Sequence, residues 1–206
     1  MLVGILILEG EPDRWLWVAD SEGKYTVKSA YSVLQGEIPT DADFNYNNIW
    51  TTFATTSSNT FTWRALMDRI PCKLNLMRKN VINRIEEVTC PLCNEVEEST
   101  SHILFCCSKT WLVRACCYRW LGISTALPSE VMAHFSQHSG ILSNKNQKQG
   151  LMTIWTAMAW SIWTCRNIVV FDGQGWDYER VFELAQLKSW NWIQAKSKEF
   201  TCSFYE

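Results

Sequence analysis

The sequence predicts a mainly α-helical protein with a small N-terminal β-hairpin and one stretch where helical order gives way to a cysteine–histidine loop. Three observations predict this. Apolar residues recur at helical spacing through most of the chain beyond residue 49. Near the N terminus, two short β-type runs flank a glycine-containing turn. Between residues 86 and 108 the helical period disappears and cysteines cluster.

Taken in order, Trp15–Ala19 and Lys24–Val27 read as two strands joined through Asp20-Ser21-Glu22-Gly23, a hairpin signal. A short helix follows from Ser29, with Ala30, Tyr31, Val33 and Leu34, and ends near Gly36. Glu37 to Asn48 is polar, contains Pro39 and reads as a loop. Ile49, Trp50 and Phe53 open a new apolar-periodic piece. Phe61, Trp63, Leu66 and Met67 predict a helix ended by Pro71, and Leu74 to Val81 another. Trp111 to Trp120 is helical, and Gly122 to Pro128 breaks it. The polar run 139–150 reads as a linker. A long helix is predicted from Leu151 to about Val170, a turn at Gly173 and Gly175, and a last helix from Tyr178 to Lys198.

Composition bounds the function. The chain has 206 residues, 47% hydrophobic and 19% charged, which suits a packed core and excludes disorder. Its net charge of -2 lacks the basic excess of an autonomous nucleic-acid binder. Met1 to Leu8 is apolar but lacks a basic start and a cleavage site, and reads as a core segment truncated at its front. No run approaches the ~18 apolar residues of a membrane span, so no membrane partner and an intracellular location, cytoplasm or nucleus, are expected. Nine cysteines without a secretory signal point to metal before disulfide.

Cys90-Pro-Leu-Cys93 is a C-x2-C turn, which aims two thiolates at one point. After eight residues comes His102, followed by Cys106 and Cys107. Four soft or borderline donors suit tetrahedral zinc, and a filled set leaves no position for an activated water. The expected cofactor is therefore structural Zn2+, held in a zinc-knuckle-like loop. Spacing leaves the fourth ligand open. On a regular helix His102 and Cys106 share a face, whereas His102 and Cys107 need a looser geometry. The alternatives are a redox pair, which lacks a surrounding strand–turn–helix, and cysteines that merely pack.

Several separated motifs then occur in order: Trp15-Leu-Trp17, Gly23-Lys-Tyr25-Thr-Val27-Lys28-Ser29-Ala30-Tyr31, Ile49-Trp50, Phe61-Thr-Trp63-Arg64, Arg69-Ile-Pro71, the Cys90–Cys93 turn, Glu98, and His102-Ile-Leu-Phe105-Cys-Cys107. Together they resemble the zinc-binding domain behind the reverse transcriptase of plant LINE-type non-LTR retroelements. Trp155 to Phe171, with Ile162-Trp163 and Arg166-Asn167, is similar to the segment such polyproteins carry before a ribonuclease H domain. The resemblance implies the ligand set Cys90, Cys93, His102 and Cys107. It also implies a domain over 11–121, a linker over 122–150 and a helical extension over 151–206 leading toward a ribonuclease H domain. The chain departs from the family at Ala54 to Thr60, where a proline and a lysine are usual.

RNA or DNA is the partner implied, within the parent polyprotein. Arg64, Arg69, Arg78 and Lys79 are the candidate phosphate contacts, and exposed aromatics could stack on bases. Trp15, Trp17, Trp50 and Trp63 sit among apolar neighbours and are expected in the core. Glu86, Glu87, Glu95, Glu97 and Glu98 make the metal loop acidic, unlike a typical nucleic-acid knuckle. His134 and His138 stand four apart without a third ligand and are expected on a solvated helix face. No acidic triad, phosphate loop or nucleophile elbow is present, so no catalytic residue is expected. The competing expectation is a helical protein-interaction module without metal.

Overall fold

The computed structural model describes residues 17–18, 22–27, 29–30, 46–124, 126 and 128–196. The chain divides into two compact units, Met1–Phe44 and Asn45–Glu206.

In the first unit the expected hairpin is not seen among the described residues. A single backbone bond, Trp17 N to Gly23 O at 2.9 Å, spans the turn, with Gly23 at φ 70°. The remaining residues of the expected first strand lie outside the described residues. Local capping explains the second strand's loss. Ser29 N donates to Thr26 Oγ1 (3.0 Å) and Thr26 N to Ser29 Oγ (3.2 Å). This reciprocal box, with Thr26 as the capping residue, starts a helical turn at Val27, so the β-branched Val27 is helical and not part of a strand.

The second unit is helical: α1 Asn47–Trp50, α2 Thr56–Leu66, α3 Lys73–Arg78, α4 Ser108–Leu121, α5 Val131–Ile141, α6 Lys145–Asp172 and α7 Tyr178–Lys196. A 3-10 turn, Ile85–Val88, and a π-turn, His102–Cys106, lie between α3 and α4. Helix ends follow local chemistry. The Thr55 side chain accepts from Ser58 N at the start of α2. Gly122 and Gly173 take the left-handed conformation that closes α4 and α6.

The stretch expected as a linker is largely helical. Glu130 caps α5 by accepting from Met132 N and Ala133 N, and Asn144 caps α6 by accepting from Asn146 N and Gln147 N. Residues 145–150 are thus the first turns of α6, exposed over 145–147 and half-buried over 148–150, and the buried face begins at Leu151. Polarity alone could not separate a linker from a capped helix start.

The 28-residue α6 is the central element. It buries Trp155, Met158, Ile162 and Trp163. Phe61 of α2 packs on Trp160 and Trp163 with ring centroids 5.2 and 5.9 Å away. The Phe53 amide donates to Thr153 Oγ1 (2.9 Å), and Lys196 Nζ of α7 to Ala54 O (2.9 Å).

His134 and His138 are not on a solvated face; both are buried. Trp155 Nε1–H donates to His134 Nδ1 (2.9 Å), which puts the proton of neutral His134 on Nε2, facing Tyr118 Oη (3.2 Å). His138 Nδ1 meets the His134 carbonyl at 2.7 Å and must donate, so His138 Nε2 accepts from Tyr118 O–H (2.8 Å). Each group is satisfied only while both imidazoles are neutral. Burial accordingly holds His134 down at about 3 and lowers His138.

The tryptophans divide. Trp155 and Trp163 are core, whereas Trp50 and Trp63, expected inside, are 51% and 38% exposed. The four-residue α1 buries Ile49, which turns its neighbour Trp50 outward. In α2 the buried face runs through Ser58, Phe61, Thr62 and Ala65, which leaves Trp63 on the opposite side. Trp17 is partly buried, and Trp15 lies outside the described residues.

Candidate metal centre

The first half of the centre is a tight turn stabilised by a single antiparallel bridge, Thr89 with Glu97. Cys90 N donates to Val96 O (2.8 Å), Glu98 N to Val88 O (2.8 Å) and Asn94 N to Cys90 O (3.0 Å). Asn94 has φ 57°, which asparagine tolerates, and this reverses the chain directly after Cys93. The turn aims both thiols the same way, while Val88 and Leu92 are buried.

The second half is the π-turn. Its closing bond runs from Cys107 N to His102 O (2.8 Å), five residues back. This is the looser geometry that pairing His102 with Cys107 requires, because the extra residue swings Cys107 toward His102 and Cys106 away. Cys106 is exposed, with Sγ 3.8 Å from Ser129 O. Ser99 Oγ accepts from His102 N and fixes the start of the turn. Ile103, Leu104 and Phe105, between the ligands, are buried.

The structure brings one donor atom from each of Cys90, Cys93, His102 and Cys107 within 4.8 Å of one another. Cys90 Sγ and Cys107 Sγ are 4.0 Å apart; Cys93 Sγ and His102 Nε2 are 3.4 Å apart. A tetrahedral zinc with ordinary bond lengths needs about 3.8 Å between sulfurs and about 3.6 Å between sulfur and nitrogen. The donor set fits the ion in type, number and spacing. Bound there, zinc would cross-link the C-x2-C turn to the π-turn.

Electrostatics already favours thiolate at one ligand. Cys107 is held well below the usual thiol range by the hydrogen bond from Cys90, then by His102 and the N–H groups of Thr110 and Lys109 at the start of α4. The same shared proton pushes Cys90 up. Cys72, Cys117 and Cys165 are raised by burial and stand outside the centre.

Two charged residues around the centre were not assigned roles from sequence. Glu98, between the two halves, is fully buried. Its carboxylate receives Arg166 Nε (2.6 Å) and Nη2 (2.5 Å) from α6, and Lys73 N (2.9 Å) at the start of α3. It therefore ties the metal loop to two helices. Arg114 of α4 is 6% exposed, lies over the Phe105 ring at 5.7 Å, and its Nε has no hydrogen-bond partner. Burial lowers its pKa, opposed by the negative potential of Tyr118, Cys106 and Cys107. Nothing in the sequence marked Arg114, since a helical arginine is ordinarily solvent-facing.

All four candidate phosphate contacts are exposed. Arg64 and Arg69 are exposed and adjoin, with Arg64 Nη2 donating to Arg69 O at 3.2 Å. Lys79 is exposed beyond the end of α3. Arg78 is engaged by Asp68 (2.8 Å) and Asn75 Oδ1 (2.9 Å). Of the acidic residues near the loop, Glu87, Glu95 and Glu97 are exposed, while Glu98 is neutralised by Arg166.

Residues 25–113 match the family model described as zinc-binding in reverse transcriptase. All four donor residues lie inside that stretch. No curated protein and no solved structure matches the chain. Residues 25–113 thus match a zinc-binding domain of the kind found in reverse transcriptases, and the Cys90, Cys93, His102 and Cys107 group is able to hold such an ion. No helix among the described residues is long and apolar enough to cross a membrane.

Proposed function

We propose that the chain is a structural zinc module of a plant LINE-type non-LTR retrotransposon polyprotein, without catalysis of its own, and that it assists the handling of template RNA or DNA. The observation that carries this reading is the complete Cys3His donor set converging inside the matched stretch. A four-ligand zinc has no open position for substrate or activated water, which favours a structural over a catalytic ion. The nucleic-acid part rests on exposed Trp63 beside exposed Arg64 and Arg69, a stacking surface next to phosphate-binding charge.

The test is fluorescence anisotropy of zinc-loaded protein with labelled single-stranded RNA and DNA over a salt series. Binding should weaken with salt, and Arg64→Ala and Arg69→Ala should each reduce the log–log salt slope by about 0.7. Trp63→Ala should weaken binding with little change in slope. Undiminished binding by the triple variant would reject this surface; cleavage of either strand would reject the non-catalytic reading.

A further inference from the structure

Arg114 poses a problem that the packing around it does not solve. A guanidinium cannot lose its charge near neutral pH, and burying it without a counter-charge is costly. Yet the side chain is 6% exposed, and among the described residues no carboxylate pairs with it. The Phe105 ring beneath it, 5.7 Å from the guanidinium carbon, offers only a weak cation–π attraction. Its Nε is left without a partner.

Position in the helix says where the missing negative charge belongs. Cys107 is the N-cap of α4, and Arg114 follows it by about two turns on nearly the same face. Helical side chains lean toward the N terminus, so Arg114 extends back toward the Cys107 end. Phe105, over which it lies, is part of the turn between His102 and Cys107. Three thiolates and a neutral imidazole around a dication leave one net negative charge at the centre. We infer that Arg114 is the counter-charge of the zinc–thiolate centre, an outer residue that raises zinc affinity by offsetting the net charge of the Cys3His site.

This inference rests on the zinc reading of the centre, and wild-type protein separates the two. If the wild type takes up no zinc, the metal centre itself is wrong; the inference fails alone if zinc binds and Arg114 does not matter. Zinc affinity is measured by competition with a chromophoric chelator for wild type, Arg114→Met, Arg114→Gln and Arg114→Lys. Loss of the charge should raise the zinc dissociation constant about 10- to 100-fold, the usual range for outer residues. Arg114→Lys should stay near wild type. The cobalt(II)-substituted proteins should keep the same thiolate absorption, showing that the ligands themselves are intact.

A charge cycle distinguishes electrostatics from packing. Cys93→His makes the centre electrically neutral. In that background Arg114→Met should lose most of its effect on affinity. An equal effect in both backgrounds would overturn the inference. So would Arg114→Lys failing alongside Arg114→Met, whether by weak binding or by failing to fold, because shape rather than charge would then be at stake.

Discussion

The Glu98–Arg166 pair gives a sharp energetic test, because it joins the metal loop to the longest helix through two fully desolvated charges. Side-chain exposures are 0% for Glu98 and 4% for Arg166. Arg166→Met removes two charge-assisted hydrogen bonds and the cation–π contact to Trp163 at 5.0 Å. Glu98 is then left with the Lys73 amide as its charge-stabilising donor. Breaking one side of such a buried pair costs about 3–5 kcal/mol, and two charge-assisted bonds at about 1.5–3 kcal/mol each agree with that range. Glu98→Gln should cost a similar amount, since its amide NH2 would face guanidinium donors. Replacing both, as Glu98→Leu with Arg166→Met, removes the charges together. That double variant should lie within about 2 kcal/mol of wild type, part of which is the acceptor lost by Lys73 N–H. The assay is equilibrium urea unfolding at fixed free zinc, followed by far-UV circular dichroism. The coupling energy should be at least about 2 kcal/mol. Single costs below about 1 kcal/mol, or a double variant equal to the sum of separately measured Glu98→Leu and Arg166→Met, would refute the reasoning.

The remaining predictions concern the ligands and the buried histidines. Serine at position 90, 93 or 107, or alanine at 102, should weaken zinc binding by more than the roughly 100-fold limit of outer-residue changes, whereas Cys106→Ser should leave one zinc per chain by metal analysis. A Cys106→Ser protein without zinc would refute the assignment of Cys107. His134 is held at about 3 by burial against an ordinary value of 6.5, so below pH 6.5 the unfolded chain gains a proton that the native state refuses. Its contribution is therefore present above pH 6.5 and falls as pH drops toward 3. At pH 5 the loss is about 2 kcal/mol from this residue. In NMR the His134 Hε1 shift should stay flat from pH 8 to 5, and titration near 6.5 would contradict the neutral relay.

What sequence could show depends on whether the cue was periodic or contextual. Long amphipathic segments announced themselves: α6 and α7 fall where apolar spacing and the Gly173 break put them. The C-x2-C turn and His102 were readable because ligand spacing is a local property. The choice between Cys106 and Cys107 was not, since it turns on one extra residue in a helical turn, and periodicity assumes a regular one. The resemblance, not the spacing, favoured Cys107. The N-terminal hairpin is not seen among the described residues, where the Thr26–Ser29 capping pair starts a helical turn within the expected second strand. Trp50 and Trp63 failed because an aromatic side chain in a short helix follows the helix's phase, and a stronger apolar neighbour sets that phase. Buried charge was the least legible class. Glu98 and Arg166 are 68 residues apart, and only tertiary structure makes each the other's partner.

The placement of Phe105 shows why the metal segment and the helices after it are energetically one object. Between Lys79 and Cys107 the chain has a 3-10 turn, one β-bridge and a π-turn, too few regular hydrogen bonds to hold a loop of this length against its conformational entropy. Yet this loop supplies core. Phe105, flanked by two ligands, stacks on His134 at 4.0 Å and packs 5.8 Å from Trp155. Those two side chains are themselves joined by a hydrogen bond. Glu98, between the two halves, is anchored to α6. The Glu98–Arg166 pair, and a zinc held by the four donors, would thus be two clamps of different chemistry on a segment with little regular structure, each beside a side chain on which the helical core depends. Releasing either clamp frees more than the loop, because Phe105 and Glu98 cannot leave without opening the α4–α5–α6 core around Trp155 and Arg166. That coupling is why residues on both sides of the expected linker fall within one compact unit, Asn45–Glu206. A zinc held by the four donors would fix a part of the core that helix formation does not.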